Sequence, residues 1–321
     1  MLSRRHFLYS LWVVLGFWGL TAQAQDAGKT LHMVVPFPAG GSADIVARVI
    51  AKPLALLLNQ PVMVDNKPGA DGAIAAEYVA QAAPDGQTLF FATYGAMSAV
   101  PALHKQVHYD VVKDFTPVIG AGQFSFFVFT HPDVHASNIL QLIDYAHKHP
   151  GALSYGTGNV GAIVASADLT ASQHMNWVHV PYKGEVPAMT DFLAGRIQMM
   201  IGTPSNALNW VKEGRLNALV TLADKRSPLL PNVPTMAEMG LHTSPTIPWA
   251  GVFGPAQMSP QRVKQLNQAI NQVLIQPEVL AEFAKQGFEA QGSTPEQLAA
   301  QVKSQLAVWG KSIQLAGLHA E

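Results

Sequence analysis

Short apolar runs that suit β-strands alternate along the chain with longer segments whose apolar residues recur at helical spacing. A run at 31–35 precedes a predicted helix over 45–58, and the alternation continues to about residue 222. Helical spacing then dominates the C-terminal part of the chain. Strands that alternate with helices are typical of parallel βαβ units, so the pattern predicts an α/β fold.

Three local features of the sequence predict specific local structures. Ser42 is a good N-cap residue for the helix that follows the first glycine loop. Pro53 lies inside that helix and is expected to kink or split it, because proline lacks the N–H that the helix requires. Residues 94–98 are expected to form an exit loop after a strand over 88–93.

The chain is predicted to form two lobes that are joined by two crossings. His131-Pro132-Asp133 breaks an apolar extended segment over 118–129, and a proline-rich piece around 244–249 is a candidate return crossing. A cleft between the lobes is expected to bind the ligand. We assign residues 25–130 plus 246–321 to lobe 1 and residues 131–245 to lobe 2.

Val34 to Asp44, the opening loop, contains the end of a strand, two glycines and the first turn of a helix. Gly40 and Gly41 let a ligand approach the backbone closely. The first N–H groups of a helix have no internal partner and carry partial positive charge, which favours anions. The stretch therefore predicts either an anion-binding site or a βα turn that binds no ligand.

Composition narrows the possible partners. Hydrophobic residues make up 49% of the 321 residues and charged residues only 13%, which suits a well-buried α/β protein. A formal net charge of −1 gives no reason to expect nucleic acid or an acidic membrane surface as a partner. Because the chain has no cysteine, its fold is held by its core, and thiol catalysis is excluded.

Residues 1–24 have the pattern of a cleavable export signal. Arg4 and Arg5 precede an apolar stretch over 7–20, and Ala22-Gln23-Ala24 is a small-x-small cleavage site. The apolar stretch is shorter than the roughly 20 residues that a membrane span needs. The arginine pair leaves Sec and twin-arginine export both open, and either route predicts a periplasmic protein.

Residues 156–161, Gly-Thr-Gly-Asn-Val-Gly, match the dinucleotide-binding pattern G-x-G-x-x-G between a predicted strand and a predicted helix. That pattern also requires an acidic residue about 20 positions further on to hold a ribose. Glu185 fits this requirement poorly. The loop is therefore interpreted as a second anion-binding nest, as a structural turn, or as the nucleotide site of an exported oxidoreductase.

Candidate catalytic groups are scarce, and we expect no catalytic residue, no metal and no cofactor. The histidines lack metal-ligand spacing, and neither a nucleophile elbow nor a P-loop occurs. Asp44 is expected to organise the opening loop rather than to act as a general base. Lys183 either pairs with a ligand carboxylate or stays solvated. Tyr94 and Trp249 either pack on a ligand or join the core.

Six short motifs, which follow one another along the chain, carry a resemblance to a known family. They are VPFPAGGSAD at 35–44, NKPGA at 66–70, APDGQTL at 83–89, YD with KDF at 109–115, HVPYKG at 179–184, and KRSP with PNVPT at 225–235. This set resembles the Bug-type extracytoplasmic solute receptors of tripartite tricarboxylate transporters. The resemblance implies a periplasmic-binding-protein-like type II fold, in which two βα lobes close on a ligand like a Venus flytrap.

The resemblance further implies a non-enzymatic receptor, expected to be a monomer, that hands a small organic carboxylate to membrane permease subunits. One ligand carboxylate would sit between the opening loop and the glycine loop of lobe 2. The alternative of another class is a ligand sensor for a membrane signalling partner. The candidate ligand-binding residues are Phe37, Pro38, Ala39, Gly40, Gly41, Ser42, Asp44, Thr93, Tyr94, Thr157, Gly158, Asn159, Lys183, Gly202 and Thr203.

Two departures from the family pattern affect the expected ligand. The loop around Gly158 is one residue shorter than the loop that is common in the family. Gly202-Thr203 stands where many members have an Asp-Asn pair, and an aspartate there would suit an ammonium group. With Phe37, Tyr94 and Ile201 as neighbours, the far end of the ligand is expected to be neutral or apolar, as in an aromatic carboxylate.

Overall fold

The computed structural model describes residues 29–104, 106–242, 246 and 248–315 of the chain. The predicted export signal at 1–24 lies outside these residues. Within them, helices and strands alternate as the sequence predicted. The α-helices are α1 (Ser42–Leu58), α2 (Ala73–Ala80), α3 (Val100–Leu103), α4 (Ile139–Lys148), α5 (Val160–Ser172), α6 (Glu185–Leu193), α7 (Pro204–Lys212), α8 (Pro260–Leu274), α9 (Pro277–Lys285) and α10 (Pro295–Leu315).

The first sheet joins strands from both ends of the described chain. Its strands are β1 (Leu31–Val35), β2 (Val62–Asn66), β3 (Thr88–Thr93), β4 (Phe115–Phe124), β10 (Trp249–Pro255) and β11 (Phe288–Ala290). They lie in the order β11-β4-β10-β3-β1-β2. β1 pairs in parallel with β2 and β3, and β10 is antiparallel to both β3 and β4. The C-terminal part of the chain therefore returns to the first lobe.

The second sheet contains only strands from the middle of the chain. Its strands are β5 (Phe127–Thr130), β6 (Ser154–Thr157), β7 (Val178–Pro181), β8 (Met199–Gly202) and β9 (Asn217–Thr221). They lie in the order β7-β6-β8-β5-β9, with β6 parallel to β7 and β8. Phe127, Phe129 and Phe192 are fully buried in the core of this lobe.

The first crossing between the sheets comes earlier than predicted. The apolar segment that was expected to be one extended piece consists of β4 in the first sheet and β5 in the second, with only Ser125 and Phe126 between them. The strand before His131 therefore belongs to the second sheet, and the predicted boundary at residue 131 lies too late. The return crossing falls between Thr221 and Trp249, and its position at residue 246 stays a prediction.

Two expectations about the first helix are wrong. α1 begins at Ser42 with Gly41 as its N-cap, and no side chain caps it. α1 also continues through Pro53 to Leu58. Proline inside a helix costs about 3 kcal/mol, but burial of the apolar face of the helix outweighs this cost. The fully buried residues of that face are Val46, Ala47, Ile50 and Leu54.

Two further elements differ from the sequence-based interpretation. Tyr94 and the residues after it do not form an exit loop; Gly95–Ala99 form a π-helical turn that leads directly into α3. β11 was not predicted, because three residues carry too little periodicity to be recognised. None of the helices in the described ranges combines the length and the hydropathy that crossing a bilayer requires.

Candidate functional site

A cavity lies between the two sheets, beyond the carboxyl ends of β1, β3, β6 and β8. Open α/β sheets bind their ligands at this edge. The empty volume is about 590 Å³, which includes space open to solvent. Most of the wall is apolar, with hydroxyl, amide and carboxylate groups at a few points. The lining residues are Phe37, Pro38, Gly41, Ser42, Ala43, Thr93, Tyr94, Phe124, Phe126, Gly158, Asn159, Gly184, Glu185, Val186, Pro187 and Thr203.

Four helices begin at this cavity. The N-cap residues of α1, α5, α6 and α7 are Gly41, Asn159, Gly184 and Thr203, and all four line the cavity. The first N–H groups of a helix have no partner within it, and the helix dipole adds partial positive charge there. One of these helices belongs to the first lobe and three to the second. The converging helix ends therefore make the cavity attractive to an anion.

Asp44 holds the opening loop from behind. Its carboxylate accepts hydrogen bonds from the Gly40 N–H at 2.9 Å, from Arg48 Nε at 3.0 Å and from Asn66 Nδ2 at 2.8 Å. Burial alone would raise the pKa of Asp44, but these hydrogen bonds and the Arg48 charge hold that pKa below its usual value. Asp44 therefore has the predicted loop-organising role and does not line the cavity.

Ser42 connects the two lobes directly. Its Oγ lies 2.7 Å from Thr203 Oγ1 and also forms a hydrogen bond with Ser205 Oγ. The hydroxyl that was expected to cap α1 contacts the second lobe instead. Because the N–H groups of Ser42 and Ala43 lie in the first turn of α1, they have no partner within the helix. They remain available to a ligand in the cavity.

Thr93 and Tyr94 follow β3 into the cavity. The Tyr94 hydroxyl donates across the cleft to Asn159 Oδ1 at 3.0 Å, and the Tyr94 ring stacks on Trp309 with the centroids 4.8 Å apart. Burial, with a smaller effect from the Glu185 charge, raises the pKa of Tyr94 well above its ordinary value. Thr93 Oγ1 is buried and has no hydrogen-bond partner in the described part of the chain. Such a hydroxyl is available to donate to a ligand.

Glu185 is the charged cavity residue that sequence reasoning did not place in the site. Its carboxylate accepts hydrogen bonds from Asn159 Nδ2 at 3.1 Å, Thr203 Oγ1 at 2.7 Å and Asn206 Nδ2 at 3.1 Å. Burial raises the pKa of Glu185 above its usual value, and the hydrogen bonds offset this only in part. The available signal was its position two residues after Lys183, a predicted ligand-binding residue.

Two glycines of the G-x-G-x-x-G loop are required by packing within the protein. A Cβ atom at Gly158 would overlap the backbone nitrogen of Glu185, and one at Gly161 would overlap the Tyr94 hydroxyl. Asn159 caps α5 by accepting a hydrogen bond from the Ala162 N–H at 2.9 Å. These contacts give both glycines a structural reason that does not involve a pyrophosphate. The nucleotide interpretation therefore loses the observation on which it depended.

The structure brings most, but not all, of the predicted site residues to the cavity. Ala39 and Gly40 are exposed, and the Gly40 N–H is used by Asp44. The Thr157 hydroxyl bonds to His179 Nε2 at 2.7 Å, and Lys183 is exposed. The predicted residues that line the cavity are Phe37, Pro38, Gly41, Ser42, Thr93, Tyr94, Gly158, Asn159 and Thr203; those that do not are Ala39, Gly40, Asp44, Thr157, Lys183 and Gly202.

The aromatic neighbours also differ from expectation. Ile201 and Trp249 are buried core residues away from the cavity. Phe124 and Phe126, which lie at the crossing between the sheets, line it instead. Sequence reasoning missed them because it placed the crossing after β5 and treated this stretch as one strand.

A family model and several curated relatives match most of the chain. The family described as "Tripartite tricarboxylate transporter family receptor" matches residues 46–318. BugT of Bordetella pertussis is 32% identical over 294 residues, which cover 90% of each chain.

Solved structures match over the whole two-lobed fold. The periplasmic binding protein BugD is similar with a TM-score of 0.85 at 30% identity, covering 91% of this chain and 99% of BugD. R. palustris Rpa4515 with adipate is similar with a TM-score of 0.87 at 28% identity, covering 91% and 98%. MatC from Rhodopseudomonas palustris with bound malate has a TM-score of 0.81 at 30% identity, covering 88% and 98%. These similarities confirm the predicted two-lobed α/β fold.

Proposed function

Since the chain belongs to the tripartite tricarboxylate transporter receptor family, as its Bug-type motifs predicted, we propose that it captures a small organic carboxylate between its lobes. The observation that carries the proposal is the convergence of four helix N-termini on one cavity. Their N–H groups suit a carboxylate and need no positively charged side chain. Malate and adipate, bound by two similar proteins, are ligands of this chemical class.

We further propose that the receptor acts in the periplasm as a monomer and hands its ligand to the membrane permease of such a transporter. The predicted export signal and the similarity to the periplasmic protein BugD support the location. The proposal has no catalytic step, because the cavity groups described above bind and orient rather than react. A sensor for a membrane signalling partner would use the same ligand site and stays an alternative prediction.

Hydrogen bonds that cross the cleft favour closure of the two lobes. Ser42 with Thr203, and Tyr94 with Asn159, form hydrogen bonds directly across the cleft. A ligand that contacts both lobes adds to these bonds and favours the closed arrangement. The permease would then distinguish the loaded, closed receptor from the open one.

The test is identification of the ligand that the protein retains. Mature protein is purified from the periplasm without refolding, and mass spectrometry identifies the small molecules that it releases on denaturation. A carboxylate is expected, and adding it back to ligand-free protein should raise Tm. Release of a nucleotide, or no thermal shift with any carboxylate, would contradict the proposal.

A pair of variants at Gly41 connects that result to the cavity. The Gly41 φ of −75° suits any residue, so the backbone tolerates a side chain there. Gly41→Leu is expected to fill part of the cavity and abolish the ligand-induced shift while the ligand-free Tm changes little. Gly41→Ala is the matched control, because its Cβ would lie 3.5 Å from Pro38 O, an ordinary contact. Normal binding by Gly41→Leu would place the ligand elsewhere.

A further inference from the structure

Glu185 places a fixed negative charge in a cavity whose helix ends attract anions. Three side chains of the second lobe donate to its carboxylate: Asn159, Thr203 and Asn206. The orientation of Asn159 is set independently, because its Oδ1 accepts from the Ala162 N–H and from Tyr94 Oη. Its Nδ2 therefore points at Glu185, whose carboxylate oxygen is the acceptor.

Glu185 forms no ion pair with any residue that the structure describes. Lys183, two positions earlier, is exposed and does not line the cavity. The side-chain donors of Asn159, Thr203 and Asn206 in the second lobe are thus used by the protein's own carboxylate. A second anionic group of a ligand that came near them would meet repulsion and find few free donors.

The cavity offers a ligand hydrogen-bond donors from the first lobe and an acceptor, Glu185, from the second. The N–H groups of Ser42 and Ala43 and the Thr93 hydroxyl can hold one carboxylate. Glu185 Oε1 accepts a side-chain hydrogen bond from Asn159 alone, and the Thr203 backbone N–H also interacts with the carboxylate. A ligand donor would therefore share Oε1 with Asn159 and be attracted by the carboxylate charge. Between these groups the wall is apolar, with Phe37, Phe126 and Val186.

We propose that Glu185 makes the cavity selective for monocarboxylates that also carry a hydroxyl or ammonium group, and that it disfavours dicarboxylates. The inference rests on the proposed function and names the substrate class of the same site. It replaces the sequence-based expectation of a neutral or apolar far end, which was made from Gly202-Thr203 without placing Glu185 in the cavity. The proposed ligand class also differs from adipate and malate, the dicarboxylates with which two similar proteins are described.

The test uses three matched sets of ligands, each with a dicarboxylate, a donor-bearing monocarboxylate and a plain monocarboxylate. The sets are adipate, 6-aminohexanoate and hexanoate; succinate, 4-hydroxybutanoate and butanoate; and terephthalate, 4-hydroxybenzoate and benzoate. Isothermal titration calorimetry on the ligand-free mature protein measures Kd for each. In the set that fits the cavity best, the donor-bearing compound is expected to bind about tenfold or more tightly than the dicarboxylate.

Variants of Glu185 test whether this residue causes the preference for the donor-bearing compound over the dicarboxylate. Glu185→Ala frees the donors of Asn159, Thr203 and Asn206, so the preference should reverse in favour of the dicarboxylate. Glu185→Gln removes the charge with little change of shape and should abolish the preference if the alanine variant does not fold. Glu213→Gln is the matched control, because Glu213 is exposed at the end of α7 and its loss should leave the order unchanged.

The outcomes separate this inference from the proposed function. If the wild-type protein binds a dicarboxylate as tightly as its donor-bearing partner in every set, the inference is wrong and the receptor function stands. If Glu185→Gln keeps the wild-type preference, Glu185 is not its cause and the inference is also wrong. Absence of binding by all nine compounds, with no carboxylate released from the purified protein, would overturn the receptor function itself.

Discussion

Replacing Thr93 with valine tests whether the unpaired hydroxyl serves the ligand. Thr93 is 2% exposed, and its Oγ1 lacks a partner within the described residues. A buried polar group without a partner costs about 1–3 kcal/mol. Valine keeps nearly the same shape without the hydroxyl. Thr93→Val is therefore expected to raise the free energy of unfolding of the ligand-free protein by about 1 kcal/mol or more.

The same change is expected to weaken ligand binding. A hydrogen bond to a charged group contributes about 1.5–3 kcal/mol, so loss of the hydroxyl should raise Kd roughly 10- to 150-fold. Stability and affinity thus move in opposite directions, which a general loss of structure would not produce. Urea denaturation measures the first quantity, and calorimetry with the tightest-binding carboxylate measures the second.

Thr130 in β5 provides the matched control for Thr93. It is also fully buried, and its Oγ1 has no partner in the part of the chain that is described, but it does not line the cavity. Thr130→Val should give a similar gain in stability with an unchanged Kd. Unchanged affinity in Thr93→Val would refute the assignment of this hydroxyl to the ligand, and a loss of stability would mean that the hydroxyl has a partner.

Three further changes follow from the contacts of the site. Tyr94→Phe removes a hydrogen bond between the lobes worth about 1 kcal/mol, so it should shift ligand-free protein towards the open form in small-angle scattering and raise Kd roughly fivefold. Gly158→Ala forces a Cβ into the Glu185 backbone and should lower the free energy of unfolding by about 1–3 kcal/mol. Asp44→Asn should make the free energy of unfolding depend less on pH in the acid range. The pKa of Asp44 is lower in the folded than in the unfolded protein. The ionised carboxylate therefore stabilises the fold above its unfolded pKa, and this stabilisation is lost as the pH falls through its folded pKa.

The first two of these changes have matched controls. Tyr109→Phe removes a hydrogen bond to Ala96 O within one lobe, so it should cost stability without opening the cleft. Gly310→Ala, where no described residue outside the helix itself lies within 4 Å of the new Cβ, should not destabilise the protein. A closed Tyr94→Phe protein, a fully stable Gly158→Ala protein or an Asp44→Asn protein with the wild-type acid response would each contradict the corresponding contact.

The fold could be predicted largely from local patterns. β3 matches its predicted bounds, and α10 lies in the C-terminal part of the chain, where helical spacing was predicted to dominate. Both depend on periodicity within one segment. Pro53 was misjudged because the cost of proline in a helix is local, whereas the burial of Ile50 and Leu54 that outweighs it is provided by neighbouring elements.

By itself, the sequence determined the α/β alternation, the two glycine loops and the family, because each of these features depends on residues that are neighbours in the chain. Only the tertiary structure decided which polar groups meet in the cavity. Glu185 was judged a poor ribose acid from its spacing alone, yet its carboxylate is held by Asn159, Thr203 and Asn206. Thr93 was recognised as a site residue, but not as a hydroxyl without a partner. Hydrogen-bond partners come from residues far apart in the chain, so whether a polar group is paired or free is settled only when the lobes close.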